Sequence, residues 1–144
     1  ANIVCADALK LNIREPFDAV LLDAPCTSTG TLRRHPDVAW LRRPDDVRTL
    51  SKLQGELVAK AASFVKPGGR LLYAVCSLEP EEGPGVVAAA LAGGSWRRDP
   101  LERGELAGAD DFLTADGDLR TLPSHWPELG GLDGFFAARL VSRI

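Results

Sequence analysis

The sequence predicts an α/β fold built on parallel strands, and three observations carry that prediction. Residues 17–22 and 70–76 are apolar and continuous rather than alternating, the pattern of strands buried on both faces. Between them Val47, Leu50, Leu53, Leu57, Ala61 and Phe64 recur every three or four residues, with Arg48, Lys52, Glu56 and Lys60 on the opposite face of a helix. Strand, helix and strand in this order make a βαβ unit, whose crossover is right-handed.

The elements follow in order. Val4-Cys5-Ala6-Asp7-Ala8 is a shorter strand candidate ended by Asp7, and Cys5 within it reads as an inert core residue. Pro44, Asp45 and Asp46 suit the first turn of the long helix. Lys66-Pro67-Gly68-Gly69 stops that helix and turns the chain into the strand at 70–76. Pro80, Glu81 and Glu82 suit the first turn of a second helix, residues 86–91 its body, and Gly93-Gly94 its end. Residues 97–132 carry little pattern beyond a short strand at 119–122, and 134–141 read as a last strand.

At 144 residues the chain has the length of one domain with a real core, and 45% hydrophobic with 26% charged residues is an ordinary globular balance. A net charge of -3 argues against a binder of nucleic acid over its whole surface, but leaves room for a local basic patch. No apolar run has membrane-spanning length and no signal peptide is visible, so no membrane partner is expected. The chain opens on Ala1 and contains no Met, so upstream residues are expected to be missing. Three cysteines point to a reducing cytoplasm rather than a disulfide framework. His35 and His125 lie far apart, no Cys/His spacing suits zinc, and no metal site is expected.

The chemistry is concentrated in two matching places. Cys26 lies in Leu22-Asp23-Ala24-Pro25-Cys26-Thr27 and Cys76 in Leu72-Tyr73-Ala74-Val75-Cys76-Ser77. Each follows an apolar run, so both thiols emerge at the carboxyl edge of neighbouring parallel strands, where open α/β sheets bind ligands. Taken singly, each cysteine reads as a core residue; paired, and with Asp23 beside one of them, they read as functional. Asp23, held by the strand end and Pro25, can hydrogen-bond a polar ring edge or move a proton. The segment Arg33-Arg34-His35-Pro36-Asp37-Val38-Ala39-Trp40-Leu41-Arg42-Arg43 is locally basic. Its cations can hold phosphates at the rim of a site, and Trp40 reads as a core anchor.

These residues resemble a known family. Asp23-Ala24-Pro25-Cys26-Thr27-Ser28-Thr29-Gly30 is similar to the DAPCSGTG motif of the Fmu/Sun RNA cytosine-C5 methyltransferases, and Tyr73-Ala74-Val75-Cys76-Ser77-Leu78 with Pro80-Glu81-Glu82 resembles their YSTCS-PEE motif. Arg34-His35-Pro36-Asp37 with Trp40, and Asp133-Gly134-Phe135-Phe136-Ala137-Ala138, resemble further signatures of the family. The resemblance implies a Rossmann-like class I fold that uses S-adenosylmethionine, with a cytosine in RNA as substrate, ribosomal 16S RNA being the better guess. It implies that Cys76 attacks C6 of the base, that Cys26 helps release the product, and that Asp23 hydrogen-bonds the base near N3. Asp7, Asp23 and Pro25 would lie against the cofactor. Arg33, Arg34, His35, Arg42 and Arg43 are the candidate RNA contacts.

The chain also departs from the family. Ser28 stands where glycine is usual, Ala74-Val75 replaces Ser-Thr, and Gly83-Pro84 stands where Asn-Glu is common. The family's glycine-rich cofactor loop, its ribose-binding acid and its catalytic-site lysine lie upstream of the Asp7 motif, outside this chain. Residues 1–144 are therefore expected to be the C-terminal portion of one catalytic domain, lacking the first strands and helices of the sheet and inactive alone. The exposed edge of the Asp23 strand is then expected to pair with a second copy, giving a homodimer, or to be covered by a rearranged N-terminus. Three rivals remain. One is a DNA-type enzyme attacking through Pro25-Cys26, opposed by the Cys76 motif. The others are a non-catalytic RNA-binding module and a thiol redox protein.

Overall fold

The computed structural model describes residues 1–144. Its first strand, β1, spans Phe17–Asp23. A short helix α1, Val38–Leu41, leads into the long helix α2, Pro44–Ala61. Strand β2, Val65–Val75, follows, and then helix α3, Pro84–Ala92. Strands β3 (Trp96–Arg98), β4 (Leu119–Thr121) and β5 (Phe135–Ser142) complete the chain.

The sheet runs β1-β2-β5-β3, with β4 also on β5. β1 and β2 are parallel, with α2 as their crossover, and β5 enters antiparallel beside β2. β3 pairs with the end of β5 and β4 with its beginning. Leu71, Tyr73 and Val75 of β2 alternate with Phe136, Ala138 and Leu140 of β5 on one face. They form the core with Val58 and Ala61 of α2, Val86 and Val87 of α3, and Trp96. This is a Rossmann-like α/β arrangement, as expected.

Helix α2 starts where the sequence places it. Pro44 occupies its first turn, and the Asp46 carboxylate accepts the Arg43 N–H at 2.9 Å, satisfying a donor at the helix start. It ends at Ala61 rather than at Phe64, whose carbonyl instead accepts the Phe17 N–H at 2.7 Å at the start of β1. β2 begins at Val65, not Arg70, so the Pro-Gly-Gly stretch lies inside the strand. The register jumps there from Phe17↔Val65 to Ala19↔Arg70. Gly68 turns the bulge at φ 73°, and a Cβ on Gly69 would lie 2.8 Å from the Asp18 carbonyl.

Other expectations are corrected. β1 is an edge strand, and Leu21 on its uncovered face is 66% exposed, because no neighbour lies on its other side. The Asp7 run forms no strand, and Cys5 is exposed rather than in the core, since no strand pairs with that segment. Residues 1–16 do not cover the free edge of β1 either. The second helix starts at Pro84; Pro80 to Gly83 form a turn that carries Glu82 inward. Trp40 is no core anchor: it lies on the outer side of α1, 89% exposed. β3 and α1 were not legible in the sequence.

Candidate active site

Because β1 and β2 are parallel and in register to Asp23↔Ala74, the chain leaves both strands at one edge. The two departing loops are bonded to each other. Ala24 N–H donates to the Ala74 carbonyl at 3.0 Å and Gly30 N–H to the Cys76 carbonyl at 3.1 Å. Gly134 N–H in turn donates to the Gly30 carbonyl at 2.7 Å. These bonds bring the sulfurs of Cys26 and Cys76 to 3.5 Å, hydrogen-bond contact between thiols, with Cys26 buried and Cys76 half-buried.

Burial and contact together decide which sulfur keeps the proton. Cys76 accepts the Cys26 S–H, which outweighs its own burial and lowers its pKa to about 6, with further help from the Ser28 hydroxyl. The same contact, together with burial, pushes the Cys26 thiol far up. The contact thus favours the proton on Cys26 and the thiolate on Cys76. Ser28 Oγ lies 3.6 Å from the Cys76 sulfur and 3.9 Å from that of Cys26. To reach there Ser28 adopts a left-handed backbone, φ 61° and ψ 24°, at the position where glycine was expected.

Beneath the thiols lies a buried polar cluster that sequence reasoning missed. Glu82, 0% exposed, accepts the Thr27 N–H at 2.9 Å, the Thr27 hydroxyl, the Ser77 hydroxyl at 2.5 Å and the Gln54 side-chain N–H at 3.0 Å. Gln54 also donates to the Pro25 carbonyl at 2.8 Å, and Tyr73 donates to the Glu82 carbonyl at 2.5 Å. The Glu82 side chain thus binds the residue after each cysteine. The signals were present: the Pro80-Glu81-Glu82 stretch shortly after Cys76-Ser77, and a Gln on the apolar face of α2.

Two arginines fix the loop carbonyls. Arg42 Nε donates to Thr27 O at 3.0 Å and its Nη2 to Cys26 O at 3.4 Å. Arg120, its pKa lowered by burial, donates to Ser77 O at 3.0 Å and Leu78 O at 2.7 Å. Each cysteine loop is held from outside by one guanidinium.

The remaining site candidates divide. Asp23 and Pro25 are exposed at the end of β1, and Asp23 is close enough to Cys76 to oppose its ionisation. The Asp23 carboxylate has no hydrogen-bond partner in the chain, so it is available to a ligand. Asp7 is not brought to the cysteines; its side chain bonds Leu9 N–H at 3.0 Å and pairs with Lys10 at 3.6 Å. Arg33 and Arg34 converge on Asp133, whose carboxyl the Arg34 guanidinium holds below the usual carboxylate range. His35 and Arg43 are exposed. The basic segment is therefore partly structural and partly free.

Comparison with known proteins identifies relatives of the chain. A family model described as 16S rRNA methyltransferase RsmB/F matches residues 1–141. The chain is 43% identical over 129 residues to the ribosomal RNA small subunit methyltransferase B of Klebsiella pneumoniae (strain 342), covering 90% of this chain and 27% of that protein. It is 41% identical over 143 residues to the protein of the same name from Vibrio cholerae serotype O1, covering 97% of this chain and 30% of the other. Among solved structures, NSun6 from Pyrococcus horikoshii with SFG superposes with a TM-score of 0.78 at 24% identity, covering 99% of this chain and 35% of that one. A methyltransferase homolog protein from the same organism gives 0.64 at 36% identity, covering 88% and 39%. The chain spans about a quarter to a third of the length of the curated relatives it matches. With matched cysteine loops at one sheet edge and a family model covering nearly every residue, the chain belongs to the 16S rRNA methyltransferase RsmB/F family.

Proposed function

We propose that this chain carries the nucleophilic half of an S-adenosylmethionine-dependent RNA (cytosine-C5) methyltransferase acting on 16S ribosomal RNA in the cytoplasm. On this reading residues 1–144 are the C-terminal portion of its catalytic domain. The observation that carries the reading is the pair of cysteine sulfurs at 3.5 Å, beside an unpartnered carboxylate at the carboxyl edge of the parallel strands. The names of the relatives add support, since they are ribosomal RNA methyltransferases.

Asp23 and Pro25, exposed next to Cys76, fit a role in holding the cofactor and the base. Asp7 would join them only with a different course of residues 1–16. S-adenosylmethionine supplies the methyl group as an electrophile. The protein's own steps concern the base. The Cys76 sulfur adds to C6 of a cytosine swung out of its stack, forming an S–C bond and leaving C5 electron-rich. Asp23 hydrogen-bonds the polar edge of the ring near N3.

Release then falls to Cys26. Its high pKa comes first from the hydrogen bond it gives to Cys76. Once Cys76 is a neutral thioether that cause is gone, so Cys26 ionises more easily. Its thiolate can then take the C5 proton, while the S–C6 electron pair returns to sulfur and Cys76 leaves as a thiolate. Arg43, His35 and the exposed parts of Arg33, Arg34 and Arg42 supply phosphate contacts. Two copies pairing through the free edge of β1 belong to the same proposal.

The test uses the full-length protein with S-adenosylmethionine and 16S ribosomal RNA. Cys26→Ala should accumulate a protease-sensitive protein–RNA adduct on a denaturing gel, and Cys26→Ala with Cys76→Ala should show none. Absence of adduct in every form would overturn the reading in favour of a non-catalytic RNA-binding module.

A further inference from the structure

A carboxylate with no exposed surface is costly to bury unless it is matched by donors. Glu82 is matched, and its donors are not scattered. Thr27 follows Cys26 and Ser77 follows Cys76, and both give hydrogen bonds to this one side chain. Gln54 ties the same carboxylate to α2 and to the Pro25 carbonyl, one residue before Cys26. The two loops come from different strands; Thr29 and Ser28 also reach across, but only Glu82 binds the residue after each cysteine. Thr27 and Ser77 hydroxyls lie 3.3 Å apart, both within reach of the Glu82 oxygens.

We propose that Glu82 is a positioning residue, whose buried carboxylate clamps Thr27 to Ser77 and so holds the Cys26 and Cys76 sulfurs in contact. Its importance for methyl transfer rests on the function proposed above; its effect on the thiol pair does not. Replacing the carboxylate by an amide removes the charge and one of the two acceptor oxygens, and leaves the Thr27 and Ser77 hydroxyls to accept from the N–H₂ group in place of donating to an anion. The clamp loses its charge-assisted bonds and slackens, and the thiol–thiol hydrogen bond lengthens or breaks. Cys76 becomes a more ordinary thiol without any change to the residues that surround its sulfur.

The experiment measures the pH dependence of alkylation of Cys76 by iodoacetamide, resolved by peptide mass spectrometry, in the full chain without RNA or cofactor. In Glu82→Gln the midpoint should rise by about one pH unit or more, with alkylation at pH 6 slower by about fivefold or more. Ser77→Ala, which removes one donor and leaves Glu82 buried, should shift it in the same direction and decides the matter if Glu82→Gln does not fold. Glu81→Gln, at an exposed neighbour, should leave the profile unchanged. An unmoved midpoint in a folded Glu82→Gln protein, or in Ser77→Ala where that fails to fold, overturns the proposal. The Cys26→Ala adduct assay separates the two questions, since its failure would remove the methyltransferase reading and leave the thiol measurement standing.

Discussion

Cys76 reaches the thiolate form chiefly by accepting a hydrogen from its neighbour, so its reactivity depends on the residue that gives that hydrogen. With its pKa lowered to about 6, the Cys76 thiolate is expected to be lost as pH falls through that value. Alkylation of Cys76 should follow that midpoint. Cys26→Ala removes the donor, and the midpoint should move up toward that of an ordinary thiol, read by thiolate absorbance or alkylation rate. Ser28 provides a subtler case. Its left-handed backbone costs about 1–2 kcal/mol in a non-glycine residue, while its hydroxyl favours the Cys76 thiolate. Ser28→Gly should therefore stabilise the fold, seen as a higher urea midpoint, and at the same time raise the Cys76 pKa. The sequence marked Cys26, Cys76 and Asp23 because their neighbours repeat a recognisable pattern. It marked Glu82 only as part of a motif and of a helix start, because its role lies in bonds to Thr27, on the loop of a different strand, and to Ser77, on its own.

At the scale of elements, α2 does more than connect two strands. Gln54 sits on its apolar face, between Leu50 and Leu57, and is fully buried where a hydrocarbon would be expected. Gln54→Leu would leave the Pro25 carbonyl and the Glu82 carboxylate short of a donor. A loss of about 1–3 kcal/mol in denaturant unfolding is expected. The contact between the Cys26 loop and the start of β5 is closer still. A Cβ on Gly30 would meet the Gly134 carbonyl at 1.9 Å. Gly30→Ala should cost about 3 kcal/mol, the upper end for overpacking, or displace the loop and with it the thiol pair. α2 was legible because its period is local. β3 was not, since three residues become a strand only by lying against Leu140 to Ser142. The burial of β1 was misread for a related reason: an apolar run records what a strand could bury, not whether a neighbour is there to cover it.

For the molecule as a whole, one face of the sheet carries the helices and the other is covered only in part, with Leu21, Leu72 and Phe135 among its exposed apolar side chains. β1 adds an unpaired edge to that face. If two copies pair there, gel filtration should show a dimer that dissociates on dilution, and Leu21→Lys should shift it to monomer. A wild-type chain that remains monomeric at every concentration would remove the dimer from the proposal. The parallel pairing of β1 and β2 has another consequence, in time rather than in space. Parallel neighbours cannot meet through a hairpin; α2 must form and swing across before Asp23 finds Ala74. Contacts between residues 50 positions apart are slow to form and late to be secured. Until then Cys76 has no partner and is an unremarkable thiol. The folding chain is thus expected to keep its most reactive atom quiet through the interval when stray electrophiles could reach it, and to arm it only as the sheet closes.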